Sequence, residues 1–430
     1  LVIFIKIVIY KLKQNSMLKK ISLYLIGLLP LALVAGPFIA ELFLFLIFIS
    51  FSYFILKEKK LNLLNNKNLK LFLIFWVYIV CLSFFATDFL ISFKSSFFYF
   101  RFGIYVLAII YFLKVFSNSL NILYNIYRIS ILFVILDSIF QIFFGFDFFG
   151  LETNNHDLMR ISGPFGDKFI LGSFLQKILP IFIYLILKEY ENIKKIKVLD
   201  IIILILSLVI IYRSGDRAAF GLIILYSFIF FLINKPLRSK MLIIFSFTLL
   251  ISIFLTIQNP KIYERHFVDT IGQIKGKYFE SFLEKDISET KLNFMLFSFH
   301  HQSHYSTALR MFLEKPVFGF GVKMFRFDCK EYQYKPPRII KNEFGEYREA
   351  YGCSTHPHNT YFQLLSETGI VGFLAVFYLF LFVLHKIIKF INLKEHKIYP
   401  ESAILIGIFI NLWPLIPTGN FFNNWLSIIY

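Results

Sequence analysis

Carboxylates are scarce in this sequence. Its 430 residues hold 27 Asp and Glu against 45 Lys and Arg, and charged residues of all kinds make up only 17%. No cluster of acids stands in the segments read below as facing outward, which argues against a site built on a hard divalent cation, since such ions favour carboxylate oxygens. Cysteine is scarce too: three residues are too few for a disulfide scaffold. Cys81 lies in an apolar run and reads as inert, whereas Cys329 and Cys353 share one hydrophilic segment and pair if that segment faces an oxidising compartment. No internal repeat is evident. No small-residue cleavage site follows the first apolar run, so that run reads as a retained helix and not as a signal peptide.

Apolar residues, by contrast, are in excess. The chain is 57% hydrophobic and 20% aromatic, more than a soluble protein of this length can bury, and it reads as an all-α polytopic membrane protein. The formal charge of +18 does not point to nucleic acid, because the lysines cluster between apolar runs, where they fix cytoplasmic loops. The stretch "MLKKISLYLIGLLP" from Met17 resembles a bacterial start, and the residues before it read as upstream sequence. A span needs roughly 20 apolar residues, fewer when flanking side chains snorkel. Spans are expected near 21–35, 38–56, 71–87, 97–116, 128–147, 169–187, 198–212, 218–233 and 241–257, then near 360–385, 402–416 and 420–430. That makes about twelve transmembrane helices. They divide into spans one to nine within 17–257, a periplasmic loop domain over 258–357, and spans ten to twelve within 358–430.

Loop charge agrees with this count. Lys57, Lys59, Lys60, Lys67 and Lys70 follow span two, Lys188, Lys194, Lys195 and Lys197 follow six, Lys235, Arg238 and Lys240 follow eight, and Lys386, Lys389, Lys394 and Lys397 follow ten. Every even-numbered exit is basic, which places those loops and the N-terminus in the cytoplasm and the odd-numbered exits outside. The long outer segment must carry structure of its own. "NPKIYERHFVDTIGQI" and "SHYSTALRMFLEKPVFGFG" have the three- and four-residue steps of helices lying on the bundle, and "KPVFGFG" reads as a stop and turn.

Two polar clusters fall on that outer side. In "HPHNTYFQLLSETGIVGF" Ser354 or Thr355 is expected to cap a helix with Pro357 in its first turn, so that Asn359, Gln363 and Glu367 share one face and His358 sits at the mouth of span ten. Ionisable groups at a membrane edge are costly and mark a functional site. The positive end of the helix dipole disfavours protonation of His358, and a neutral imidazole can act as a base. Gly369 and Gly372 read as close helix packing. "YRSGDRAAFG" puts Arg213, Asp216 and Arg217 in a short outer turn, where arginine offers a donor fork suited to phosphate; snorkelling or an Arg217 to Asp216 contact is the plainer account.

These residues resemble the superfamily of O-antigen ligases and O-antigen polymerases, bacterial membrane glycosyltransferases that also include protein O-oligosaccharyltransferases. The ligases' pattern of His, then Asn, Ser or Gln, nine residues, Gly, two residues, and Gly, Thr or Tyr is met by His358, Asn359, Gly369 and Gly372. "RSGDRAAF" is similar to the family's serine-arginine-glycine turn, with Arg217 at the arginine. "RISGPFGDKFILGSFLQKILP" resembles the segment before its sixth span, and "YSTALRMFLEKPVFGFG" its tryptophan-x-x-alanine helix. Two departures stand out. Tyr305 occupies the tryptophan place, and the arginine expected about four residues earlier is missing; His301, His304, Arg265 and Arg310 are the candidates for its role. Asp167 and Lys168 stand where many members have proline and asparagine.

The resemblance implies transfer of a glycan from an undecaprenyl-diphosphate carrier to an acceptor at the periplasmic face of the bacterial inner membrane, with no cofactor and no metal. The acceptor is expected to be lipid A-core, with polysaccharide polymerisation and protein glycosylation as alternatives within the class. His358 is then the base and Arg217 the group that stabilises phosphate charge, with inversion by a single displacement. Arg213, His356, Asn359, Gln363, Glu367, His301 and His304 are expected to bind substrate. The alternative from another class is a transporter of lipid-linked glycans, for which Asp137 and Gln141 inside span five are the best argument.

Overall fold

The computed structural model describes residues 17–59, 62, 65–152, 160–193, 195–274, 299–331, 339–341, 347–349, 352–393, 395–422 and 425–429. The expectation for the first sixteen residues, and part of that for the long outer segment, falls outside the described residues.

The chain is a helical bundle. Its helices are α1 (Met17–Gly27), α2 (Leu29–Ala35), α3 (Pro37–Lys57), α4 (Lys67–Leu82), α5 (Phe89–Phe97), α6 (Phe100–Val115), α7 (Ser119–Phe144), α8 (Leu171–Ile193), α9 (Val198–Arg213), α10 (Arg217–Ile233), α11 (Arg238–Gln258), α12 (Phe299–Glu314), α13 (Thr360–Ile391) and α14 (Pro400–Asn411). Among the described residues, seven helical stretches are long and apolar enough to cross a membrane, eight if α1 and α2, bent by 57°, form one span. α10 and α14 are apolar but shorter. The expected count of about twelve is therefore not reached by this measure. At 420–430 the described residues form a turn and the short 3-10 helix Trp425–Ile429 instead of a twelfth span.

α8 is the central helix. It packs on α7, α9, α10 and α14, and 67% of its apolar window is buried, against none for α11, which lies at the edge. Pro180 inside α8 is accommodated where Gly407 of α14 leaves room: a Cβ on Gly407 would stand 2.6 Å from the Pro180 ring. The basic helix ends share one face. Lys19 at the start of α1 pairs with Glu58 after α3. Lys188 of α8 pairs with Glu401 of α14 at 2.9 Å, Lys240 of α11 lies over the Tyr190 ring, and Lys235 after α10 donates to the Leu393 carbonyl after α13 at 3.1 Å. α10 and α13 pack together with their C-terminal ends on this face, so their N-termini, Arg217 and Thr360, lie together on the opposite one.

Near its start α13 is broken at Gly369, which has φ 62 and ψ −165. The break frees carbonyls that the helical ladder would have used. Phe320 N–H donates to Ser366 O at 3.0 Å, Gly321 N–H to Glu367 O at 2.9 Å and the Tyr78 hydroxyl to Thr368 O at 2.6 Å, while Ile370 N–H donates to Pro316 O at 2.8 Å. The "PVFGFG" turn is thus docked backbone to backbone into the kink. A Cβ on Gly369 would stand 2.2 Å from the Val317 carbonyl oxygen, one on Gly372 would stand 2.5 Å from the Cβ of the buried Thr368, and one on Gly221 in α10 would meet nothing within 4 Å. Gly369→Ala combines a left-handed φ with a backbone collision and should cost about 3 kcal/mol or more. It should lower the melting temperature of the detergent-solubilised protein well below that of Gly221→Ala; equal melting of the two would show that the kink does not need glycine.

Candidate active site

The structure gathers one cluster around His358. α13 starts four or five residues later than expected, because Asn359 and neither Ser354 nor Thr355 is its N-cap. The Asn359 Oδ1 accepts from Tyr361 and Phe362 N–H at 2.9 and 3.3 Å, and its Nδ2 donates to the carbonyls of Pro414 and Ile416 at 2.8 and 3.3 Å. Pro357 sits in the loop, since a residue as well placed for capping as Asn359 stops the helix short of it. His358, just outside the helix, has φ 58, a left-handed conformation that costs a residue with a Cβ about 1 kcal/mol or more. Its carbonyl is held by Thr418 N–H at 2.8 Å, and its Nε2 lies 3.1 Å from the Ser354 hydroxyl.

Three further imidazoles face it. The ring centroids of His356, His304 and His301 lie 4.1, 5.4 and 5.6 Å from that of His358. His304 Nδ1 is 3.0 Å from the Gly352 carbonyl, which can only accept, so the proton sits on Nδ1 and Nε2 keeps its lone pair. Burial and then His304 pull His358 down to about 4, and burial and then His358 pull His356 down to about 3. The His356 and His358 rings are therefore neutral at neutral pH. Tyr305, in the place of the family's tryptophan, stacks on Phe362 at 4.7 Å and forms the wall beneath. Among the described residues no group of three or more His, Cys, Asp or Glu is arranged to hold a metal ion.

The expected binding stripe along α13 is spent on structure. Gln363 donates to Glu367 and to Asn420 at 3.0 and 3.2 Å and accepts from Phe421 N–H at 2.9 Å, while Glu367 accepts from Phe325 N–H at 3.3 Å. Asn359, Gln363 and Glu367 are 2%, 0% and 0% exposed, so in this structure the stripe braces the 320–325 turn and the 414–421 loop and does not face a substrate. Four-residue spacing sets which residues share a face, not what that face meets.

The second cluster surrounds the turn between α9 and α10. Asp216 caps α10 through Ala219 N–H at 3.1 Å and accepts the Ser173 hydroxyl. Arg217 is the first residue of α10 and reaches Thr270 Oγ1 at 3.5 Å. Arg265 donates to Gly215 O at 2.8 Å, and Arg160 donates to Ser214 O and Phe169 O, both at 3.3 Å, with its guanidinium 4.3 Å over the Phe169 ring. Burial, then Arg265, brings Arg160 down to about 10 despite the attraction of Asp216. Burial, then Arg217, lowers Arg265 as well. Three guanidiniums that repel one another around a single turn make a site for a multiply charged anion.

Of the candidates for the missing arginine, Arg265 stands beside Arg217, His301 and His304 stand with His358, and Arg310 is exposed on α12. Arg213 is buried in the last turn of α9 and is not one of the three guanidiniums. Sequence reasoning gave no role to Arg160 or Arg326, and gave Ser354 only that of a helix cap. Arg160 opens "RISGPFG", and only the fold shows that this loop folds back on the turn. Cys329 and Cys353, with Cα atoms 5.3 Å apart, are bridged and tie the segment after Phe325 to the histidine loop.

Asp137 and Gln141 serve the fold. Asp137 accepts from Phe148 N–H at 2.8 Å, and Gln141 accepts from Ser162 and Gly163 N–H at 2.9 and 2.8 Å. Compared with known families, residues 202–377 match the family described as O-Antigen ligase, a stretch that contains both Arg217 and His358. No curated protein matches the chain.

Proposed function

We propose that this chain, whose segment 202–377 matches the family described as O-Antigen ligase, moves a glycan from an undecaprenyl-diphosphate donor to lipid A-core at the periplasmic face of the inner membrane. The observation that carries this reading is that a neutral imidazole and a surplus of guanidinium charge stand on one face of the bundle, at the N-termini of two packed helices. Arg217, Arg265 and Arg160 hold the diphosphate. The Ser354 hydroxyl stands 3.1 Å from His358 Nε2, and in the tautomer that leaves Nε2 unprotonated an acceptor hydroxyl takes that place. His358 removes its proton while the oxygen attacks the anomeric carbon, and the bond from that carbon to the diphosphate oxygen breaks with its electron pair going to the leaving group. One displacement inverts the anomeric centre. A diphosphate is a good enough leaving group for guanidinium stabilisation to replace a metal.

The hydrogen bonding of Asp137 and Gln141 weighs against transport, because both side chains accept from the backbone of the loop that follows α7. Deletion of the gene tests the reading. The long ladder of lipopolysaccharide bands should disappear with glycoprotein staining unchanged. A ladder reduced to a single added repeat would make the chain a polymerase, and loss of glycoprotein staining alone would make it a protein glycosyltransferase. An unchanged pattern in both would refute the transferase assignment.

A further inference from the structure

Cations that the transfer chemistry leaves unused stand on the turn after the docked loop. Lys323, like His358, is held in the left-handed region, at φ 69. Its backbone N–H, with that of Phe325, is turned into the buried carboxylate of Glu367, and its side chain is left half-buried. Three residues on, Arg326 donates to the Thr355 carbonyl at 3.2 Å, immediately before His356. Its Nε is buried with no hydrogen-bond partner among the described residues. The bridge from Cys329 to Cys353 fastens this turn to the histidine loop. Lys94 of α5 adds a third cation: burial, then Arg326, and also Lys94 pull Lys323 below the usual lysine range.

The carboxylates within reach are committed elsewhere. Glu367 is taken by Gln363 and Phe325, and Asp328 accepts the Thr87 hydroxyl at 2.9 and 3.0 Å. A guanidinium with an unused N–H beside a half-buried ammonium is suited to the oxygens of a phosphate or carboxylate. Because Arg326 is anchored to the residue next to His356, an anion held there lies against the imidazole cluster and away from the guanidinium trio at Gly215.

We propose that Lys323 and Arg326 form a second anion site, which seats a phosphate or carboxylate group of an acidic acceptor glycan and so presents the acceptor hydroxyl to His358. The identity of the ligand as an acceptor rests on the transferase reading; the anion site itself does not. Two variants separate charge from folding. Lys323→Gly keeps the backbone N–H that serves Glu367 and suits the positive φ, and Arg326→Gln keeps a donor for the Thr355 carbonyl.

The test uses the full chain in nanodiscs of zwitterionic lipid and fluorescent lipid A-core as probe, either native or dephosphorylated and carboxyl-reduced. The parent protein should bind the native glycolipid about tenfold more tightly than the neutralised one. Each variant should lose that preference while melting normally and binding donor as before. Equal affinity for the two glycolipids in the parent, or an undiminished preference in both variants, overturns the proposal. Nanodiscs containing phosphatidylglycerol examine the other source of phosphate: competition by that lipid equal to that of the glycolipid would make this a headgroup site and overturn the acceptor assignment. Variant-sensitive glycolipid binding without any transfer by the parent would leave the anion site standing and remove the transferase reading.

Discussion

Purified His358→Gly should transfer glycan about a hundred- to ten-thousand-fold more slowly than the parent chain and bind lipid-linked donor unchanged. Glycine is the better deletion here because His358 has φ 58: it removes the imidazole and relieves the backbone, so lost activity cannot be ascribed to lost folding. His356→Ala should be milder, since that ring packs on His358 and does not contact the Ser354 hydroxyl position. The pH dependence has a definite sign. The folded imidazole of His358 takes a proton only near pH 4, against 6.5 in the unfolded chain. Between those values the unfolded state binds protons that the folded state refuses, so stability is complete above about pH 6.5 and falls as the pH drops toward about 4. Melting temperatures at pH 7.5 and 5.0 should differ for the parent and differ less for His358→Gly. The base form stays populated through neutral pH, which places the acid limb of the free protein's activity profile near pH 4 and not near 6.5. Parent-like transfer by folded His358→Gly would refute the base assignment, and His304, whose Nε2 also keeps its lone pair, would become the next candidate.

Hydrophobicity made the membrane class legible, because spans are selected by composition over long windows. Lysine clusters made the shared face of the helix ends legible, because charge at a bilayer edge is decided locally. The internal breaks were not legible. The bend between α1 and α2 and the kink at Gly369 depend on what docks into them: the Gly319 to Gly321 backbone at one site lies about fifty residues from Gly369 in sequence. His358 was found because it keeps a family spacing. Asn359, Gln363 and Glu367 were assigned to substrate because a polar stripe at a helix mouth looks the same whether it meets a ligand or a loop, and the 414–421 loop that covers it offers only Thr418 and Asn420 as polar side chains. Arg160, Arg265 and Arg326 come from separate segments, each unremarkable alone. Only the fold sums their charges with those of Arg217 and Lys323.

That summation decides the remaining prediction. Arg217→Ala should weaken donor binding by about 30- to 1,000-fold, the equivalent of about 2 to 4 kcal/mol for a charge-assisted contact to phosphate in a water-poor site. Arg265→Ala should weaken it comparably, and Arg213→Ala much less. Without an anion the trio is only partly offset by Asp216 and Asp269: Arg217 is the first residue of α10, at the positive end of its dipole, and Arg160 and Arg265 repel it and each other around one turn. Deleting Arg217 relieves that repulsion, so the donor-free variant should melt at or above the temperature of the parent while losing ligand. A residue kept for folding would show the reverse. Affinity measured with fluorescent undecaprenyl diphosphate in nanodiscs, beside the melting curve of each donor-free protein, separates the two. Arg217→Lys is the sharper control, because it restores the charge but not the two-pronged fork and should recover only part of the affinity. Donor binding unchanged in Arg217→Ala would mean that the diphosphate lies elsewhere and that the guanidinium trio serves some other anion.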